Sequence, residues 1–298
     1  MGKLDPLIEG YLSYLTDVGR KSPRTVIDVR CTIGHVVEGM RANHPGVALW
    51  RLSLQDFLHW LARERQAGRT ATSLAKYLSH VRGLLDYAWR SGRSERNVLD
   101  GFQLQDAAPR TAPRSLNLEE AQRLITACPQ GSTIQRRDRL MILLLYGCGL
   151  RTQELCSLDV GDVNRDRREL QVLHAKGDRP RVIPIPDGVY TELLAYLLDR
   201  GGKRGALFRT TAHGRRISAK DVCVVVKDAT ERARVEGLVT ARTLRHSFAT
   251  HLMDRGVDLA VIASLMGHRS PAETGVYLHV LPQRREAAVR LLEKGAQP

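Results

Sequence analysis

Three residues in one stretch, Arg245, His268 and Tyr277, can between them act on a phosphodiester without a metal ion. They lie in Thr240 to Val280, which reads TARTLRHSFATHLMDRGVDLAVIASLMGHRSPAETGVYLHV. An arginine presents a planar fork of donors matched to two phosphate oxygens. His268, after Met266-Gly267, can donate a hydrogen bond to a third oxygen or move a proton. A tyrosine hydroxyl can attack as a nucleophile and hold a phosphoryl group covalently. Singly, such residues are more often surface, turn or core side chains, so it is their joint order that carries the reading.

LRHSFATHL, LMGH and VYLHV resemble the C-terminal signature of tyrosine recombinases, the phage-integrase and Xer-like family. That family requires a second arginine upstream, in a Gly-Leu-Arg-x-x-Glu-Leu turn, and a lysine in a β-hairpin between the two halves. Both stand in this chain, as Gly149-Leu150-Arg151-Thr152-Gln153-Glu154-Leu155 and as Lys176 in HAKGDRPRVIPI. The resemblance implies that Arg151 and Arg245 clamp the scissile phosphate, that Lys176 is the general acid for the leaving 5′ oxygen, and that His268 donates a hydrogen bond to the phosphate. Tyr277 would attack to give a 3′-phosphotyrosyl intermediate, which keeps the bond energy for religation. No metal, ATP or other cofactor is then implied. A tyrosine with its reference pKa of about 10 is mostly protonated at neutral pH, so proton removal and nearby cations must assist it.

One position departs from the family pattern. Three residues before the second arginine the family has His or sometimes Lys, and here stands Arg242. Arginine keeps a cation near the phosphate but is a poor proton acceptor. Arg242 belongs to the candidate catalytic set, with the expectation that turnover falls or relies on another group. Glu154, one turn from Arg151, is expected to support the site structurally, as are His246 and His251.

At 298 residues and 43% hydrophobic content, the chain suits two domains with separate cores. Its 46 Lys and Arg against 32 Asp and Glu give +14, which favours a polyanionic partner through counterion release. Divided after Arg110, the excess is +5 before and +9 beyond, as expected if both halves touch the same nucleic acid. Cys31, Cys128, Cys148, Cys156 and Cys223 are scattered and odd in number, without a C-x-x-C pair. This argues against a zinc module or disulfide framework and for a reducing cytoplasm. The N-terminus lacks an apolar signal region, and the longest apolar run, Leu140 to Tyr146, is too short to span a bilayer. A cytoplasmic protein with no membrane partner is expected.

Helices with apolar faces must position these residues. Leu7, Ile8, Tyr11, Leu12 and Leu15 form one face, Ser22-Pro23 starts the next helix, and Ser53 is an N-cap. Leu74, Tyr77, Leu78, Val81, Leu84, Leu85 and Ala88 give the cleanest stripe, ended by Ser91-Gly92. Arg63, Arg65, Arg69, Lys76, Arg82 and Arg90 on the polar faces are candidates to follow a DNA backbone, against the simpler reading of a solvated face. Asp106 to Arg114 reads as a linker, Asn117 as a helix start with acidic residues in its first turn, and Arg139 to Tyr146 as a buried helix ended by Gly147-Cys148-Gly149. Leu170, Val172, Val182, Ile183 and Ile185 suggest two short strands around the turn Lys176-Gly177-Asp178.

The expected fold is mostly α with a small antiparallel sheet: a helical, SAM-like core-binding domain over 1–105, a linker over 106–114, and an α+β catalytic domain over 115–298. The amphipathic segment Arg284 to Leu292 is expected, by resemblance, to be a C-terminal helix exchanged between protomers. The expected partners are double-stranded DNA recombination sites and a homotetramer on DNA, with a second recombinase or accessory protein as an optional addition. The function implied is site-specific recombination through a Holliday junction. Two rivals remain at this level: a DNA-binding regulator of the same fold with weakened catalysis, and a type IB topoisomerase-like enzyme.

Overall fold

The chain forms two compact units, Met1–Thr111 and Ala112–Pro298, each with its own core. The computed structural model describes residues 5–104, 114–173, 180–202, 204–210 and 214–267. Lys176, His268 and Tyr277 lie outside the described residues, as do most of the expected linker and the segment Arg284 to Leu292.

The first unit contains helices α1 (Pro6–Asp17), α2 (Pro23–Arg41), α3 (Leu54–Gln66) and α4 (Ala71–Arg90). Each starts where a side chain satisfies an otherwise orphaned amide. Asp5 accepts from the Leu7 amide, Ser22 from that of Thr25, Thr70 from that of Ser73, and Ser53 forms a reciprocal capping box with Asp56. Pro23 occupies the first turn of α2, where its missing N–H costs nothing. Helix α4 buries Leu74, Leu78, Val81, Leu84, Leu85 and Ala88, and ends where Gly92 turns at φ +69°. With α1, α2 and α3 packed on it, this stripe makes the centre of the core, together with Phe57 and Trp60. Each large apolar side chain buried there contributes about 1.5–3 kcal/mol before chain entropy is subtracted.

The basic residues of this unit are less available than the sequence suggests. Arg82 is turned inward: its Nε donates to the Leu99 carbonyl at 3.1 Å and its Nη2 to that of Phe102. Asn97 completes this lock, donating to Asp86 at 2.6 Å and accepting from the Leu99 amide at 2.9 Å. Arg82 therefore holds the segment after α4 instead of lining an outer face. Lys76 pairs with Asp28, Arg69 with Glu64, and Arg63 donates to the Gly39 carbonyl.

The second unit runs α5 (Leu118–Thr126), α6 (Thr133–Gly147), α7 (Thr152–Ser157), β1 (Val163–Asn164), β2 (Glu169–Val172), β3 (Arg181–Pro184), α8 (Asp187–Arg200), α9 (Ala219–Arg232), α10 (Ala241–Asp254) and α11 (Leu259–Met266). Leu140 to Leu145 are all buried, so α6 is apolar around its circumference and must be surrounded. It is, by α5, α7, α8, α9 and α10. The sheet is antiparallel in the order β1-β2-β3, with Val163 opposite Leu170 and Val172 opposite Arg181. The two longer strands are those the alternation suggests. The third, β1, is two residues long and too short for alternation to reveal.

Candidate active site

Of the candidate residues within the described part, Arg151 and Arg245 converge on one buried carboxylate, and Arg242 does not. Helix α6 ends at Gly147, Cys148 follows, and Gly149 turns at φ +60°. A Cβ on Gly149 would sit 2.4 Å from the Phe248 ring, so only glycine fits both the turn and the packing. That turn delivers Arg151 to the N-cap of α7, where its amide donates to Glu154 Oε2 at 2.8 Å. The other end of α7 is held by Arg216, whose Nη1 donates to the carbonyls of Cys156, Ser157 and Leu158.

Glu154 is 2% exposed and sits beneath three guanidinium groups. Arg151 Nη1 reaches Oε1 at 3.0 Å, Arg181 takes Oε1 and Oε2 at 2.8 and 2.9 Å, and Arg245 Nη1 lies 3.6 Å from Oε2. Burial by itself would push the Glu154 pKa up. Hydrogen bonds and charge from Arg181, the Arg151 amide and the charge of Arg245 outweigh it and hold the carboxyl at about 2. Glu154 is therefore an anion at neutral pH, and the four side chains together carry a net +2. Such a group attracts an anion such as a phosphodiester.

The same arginines grip the end of α11. Arg245 donates to the carbonyls of Gly149 and Met266, both at 2.6 Å. Arg151 Nη1 also reaches the Met266 carbonyl, at 3.3 Å, and Arg181 Nε that of Leu265 at 2.6 Å. Cations at a helix C-terminus satisfy its unpaired carbonyls and its negative dipole end. Gly267 then closes α11 in the left-handed region, and His268 is the next residue in sequence. The chain brings Arg151 and Arg245 together and ties both to the residue pair preceding His268.

Helix α10 carries Arg245 inward, 7% exposed, and Arg242 outward. Arg242 Nε donates to His246 Nε2 at 3.1 Å, which requires that nitrogen to be unprotonated. His251 is buried against the opposite side: its Nε2 must donate to the Leu116 carbonyl at 2.8 Å, leaving Nδ1 to accept from the Tyr146 hydroxyl at 2.8 Å. His251 thus fastens α10 to α6 and to the start of the unit. Ser247 adds to the same attachment, accepting from the Leu116 amide at 2.8 Å.

Sequence reasoning missed Arg181. The signal was present in strand parity, because Arg181 lies in phase with Ile183, which faces the core, and its side chain is 7% exposed. A charged residue on the buried face of a strand needs a buried partner, and Glu154 is that partner.

The phage integrase family model matches residues 114–284, more than half of the chain, and the N-terminal SAM-like domain of phage integrases matches residues 8–92. The chain belongs to the phage integrase family. Tyrosine recombinase XerA of Thermococcus kodakarensis is 33% identical to it over 99% of both chains, and XerA of Pyrococcus furiosus is 34% identical over 79% of both. Among solved structures, the integrase of transposon Tn1549 in complex with transposon right end DNA covers 96% of this chain and 99% of its own, at TM-score 0.76 and 19% identity, a likeness of fold. As a tyrosine recombinase of this family, the protein is an enzyme of site-specific DNA recombination. Among the described residues no group of three or more His, Cys, Asp or Glu is placed to hold a metal ion, and no helix is long and apolar enough to cross a membrane.

Proposed function

We propose that this phage integrase family protein cleaves and rejoins DNA at specific sites through a covalent 3′-phosphotyrosyl intermediate and a Holliday junction. The observation that carries the reading is the meeting of Arg151 and Arg245 over Glu154 and at the Met266 carbonyl. Two guanidinium groups held by a buried anion are preorganised for the charge that develops on the non-bridging phosphate oxygens in the transition state. On this framework Tyr277 attacks phosphorus, Lys176 protonates the leaving 5′ oxygen, and His268 donates to the phosphate. The reverse attack by a 5′ hydroxyl of another strand expels Tyr277 and completes the exchange.

In this reading residues 1–105 form the core-binding domain, 106–114 the linker and 115–298 the catalytic domain. Double-stranded recombination sites are the substrate, held by four protomers in the cytoplasm, with a second recombinase or accessory protein as an optional further partner. The test is strand exchange between a labelled short duplex and an unlabelled long one, both carrying the genomic flanks of the recombinase gene. A labelled product of recombinant length, preceded by a four-way junction, supports the reading. Relaxation of supercoils without any recombinant product would overturn it in favour of a topoisomerase.

One observation favours a second reading, a DNA-binding protein with weakened cleavage. Arg242 stands where a proton-accepting residue is expected, and it is bonded to His246. Binding of the duplex without strand exchange, restored in Arg242→His, would select it.

A further inference from the structure

The Glu154 carboxylate is saturated in an uneven way. Oε1 accepts from Arg181 and Arg151, and Oε2 from Arg181 and the Arg151 amide, with Arg245 at 3.6 Å. The Arg181 guanidinium takes both oxygens, at 2.8 and 2.9 Å. Each of its three guanidinium nitrogens already has a protein acceptor, the third being the Leu265 carbonyl. With its guanidinium taken up by Glu154 and the Leu265 carbonyl, it is poorly placed to touch substrate. The Gly267 backbone also lies against it, since a Cβ there would come within 2.7 Å of Arg181 Nη1.

We infer that Arg181 is a positioning residue of the catalytic centre: by occupying both oxygens of Glu154 it limits Arg151 to its contact at 3.0 Å and Arg245 to its contact at 3.6 Å, and keeps both from being drawn further onto that carboxylate and away from the phosphate. This rests on the recombinase reading above. A buried carboxylate that loses a bidentate partner takes its replacement donors from the nearest cations. Here those are Arg151 and Arg245, and each further donor given to Glu154 is one withdrawn from phosphate. Arg181 also joins β3 to α7 and to the end of α11 through one side chain, so its loss loosens the three elements that frame the site.

The test compares Arg181→Lys and Arg181→Met with the wild type on two nicked suicide duplexes from the genomic flanks. One carries a normal scissile phosphate and the other a methylphosphonate, which lacks one charged oxygen and asks less of the arginines. On the phosphate duplex the variants are expected to form covalent adduct roughly 30- to 100-fold more slowly, the scale of a displaced catalytic group, with duplex affinity changed less than about threefold. On the methylphosphonate duplex the deficit shrinks to less than about fivefold. Equal deficits on both duplexes, or affinity lost in step with cleavage, overturn the proposal. Failure of both variants to fold assigns Arg181 to stability alone and overturns it as well. If the wild type forms no adduct with the phosphate duplex, the recombinase reading falls and takes this inference with it.

Discussion

Replacing Glu154 with glutamine removes the anion that lies beneath three guanidinium groups. The substitution keeps the shape of the side chain and deletes its charge, so the loss is electrostatic. Lowering the carboxyl from its ordinary 4.5 to about 2, at about 1.4 kcal/mol per pKa unit, makes ionised Glu154 worth about 3 kcal/mol to the folded state. Breaking a buried pair by removing one partner costs about 3–5 kcal/mol, which agrees. The sign follows from the direction of the shift. The folded pKa lies below the unfolded one, so the stabilisation is fully present above pH 4.5 and is lost as pH falls toward 2. Urea unfolding of wild type and Glu154→Gln at several pH values measures this. Trp50, Trp60 and Trp89 all lie in the first unit, so tryptophan fluorescence reports that unit while circular dichroism reports the whole chain. The expected loss, about 3 kcal/mol at pH 7 and shrinking below pH 4.5, belongs in the dichroism transition and leaves the fluorescence transition in place. A loss under about 1 kcal/mol at pH 7, or a gap that does not close in acid, would refute the reasoning.

Gly149→Ala places a methyl group into the Phe248 ring at a left-handed turn, and is expected to destabilise the second unit by about 2–4 kcal/mol, read in the same dichroism transition. Gly267→Ala differs in kind: its nearest obstacle is the Arg181 guanidinium, so a stability loss of about 1 kcal/mol should accompany a cleavage loss of about tenfold or more in single-turnover assays. Arg242→His restores a proton-accepting type beside Arg245, and is expected to raise the rate of adduct formation, with the gain growing as pH rises through about 6.5.

Much of the fold was legible because its signals are local. Serine and asparagine caps mark helix starts at Ser22, Ser53 and Asn117, and the α4 stripe from Leu74 to Ala88 has the helical period. The strands β2 and β3 show in the alternation of Leu170, Val172 and Ile183. What stayed hidden depends on contacts distant in sequence. Arg82 looks like a surface cation from its neighbours in the chain, and only the fold reveals the Leu99 and Phe102 carbonyls that claim it. Arg181 shows by strand parity that it faces inward, but its partner is revealed only when α7 brings Glu154 beneath it. Of the site, residue type pointed to Arg245 and the family resemblance to Arg151, but the shared anion and the capped end of α11 are products of tertiary structure.

Covalent trapping tests the central claim most directly. The protein is incubated with a nicked suicide duplex from its genomic flanks, denatured, and examined for a protein–DNA band. The expected result is a band that survives denaturation, is carried by a peptide containing Tyr277, and disappears in Tyr277→Phe while duplex binding persists. A band that persists in Tyr277→Phe, or tight site-specific binding with no band from the wild type or from Arg242→His, would contradict it.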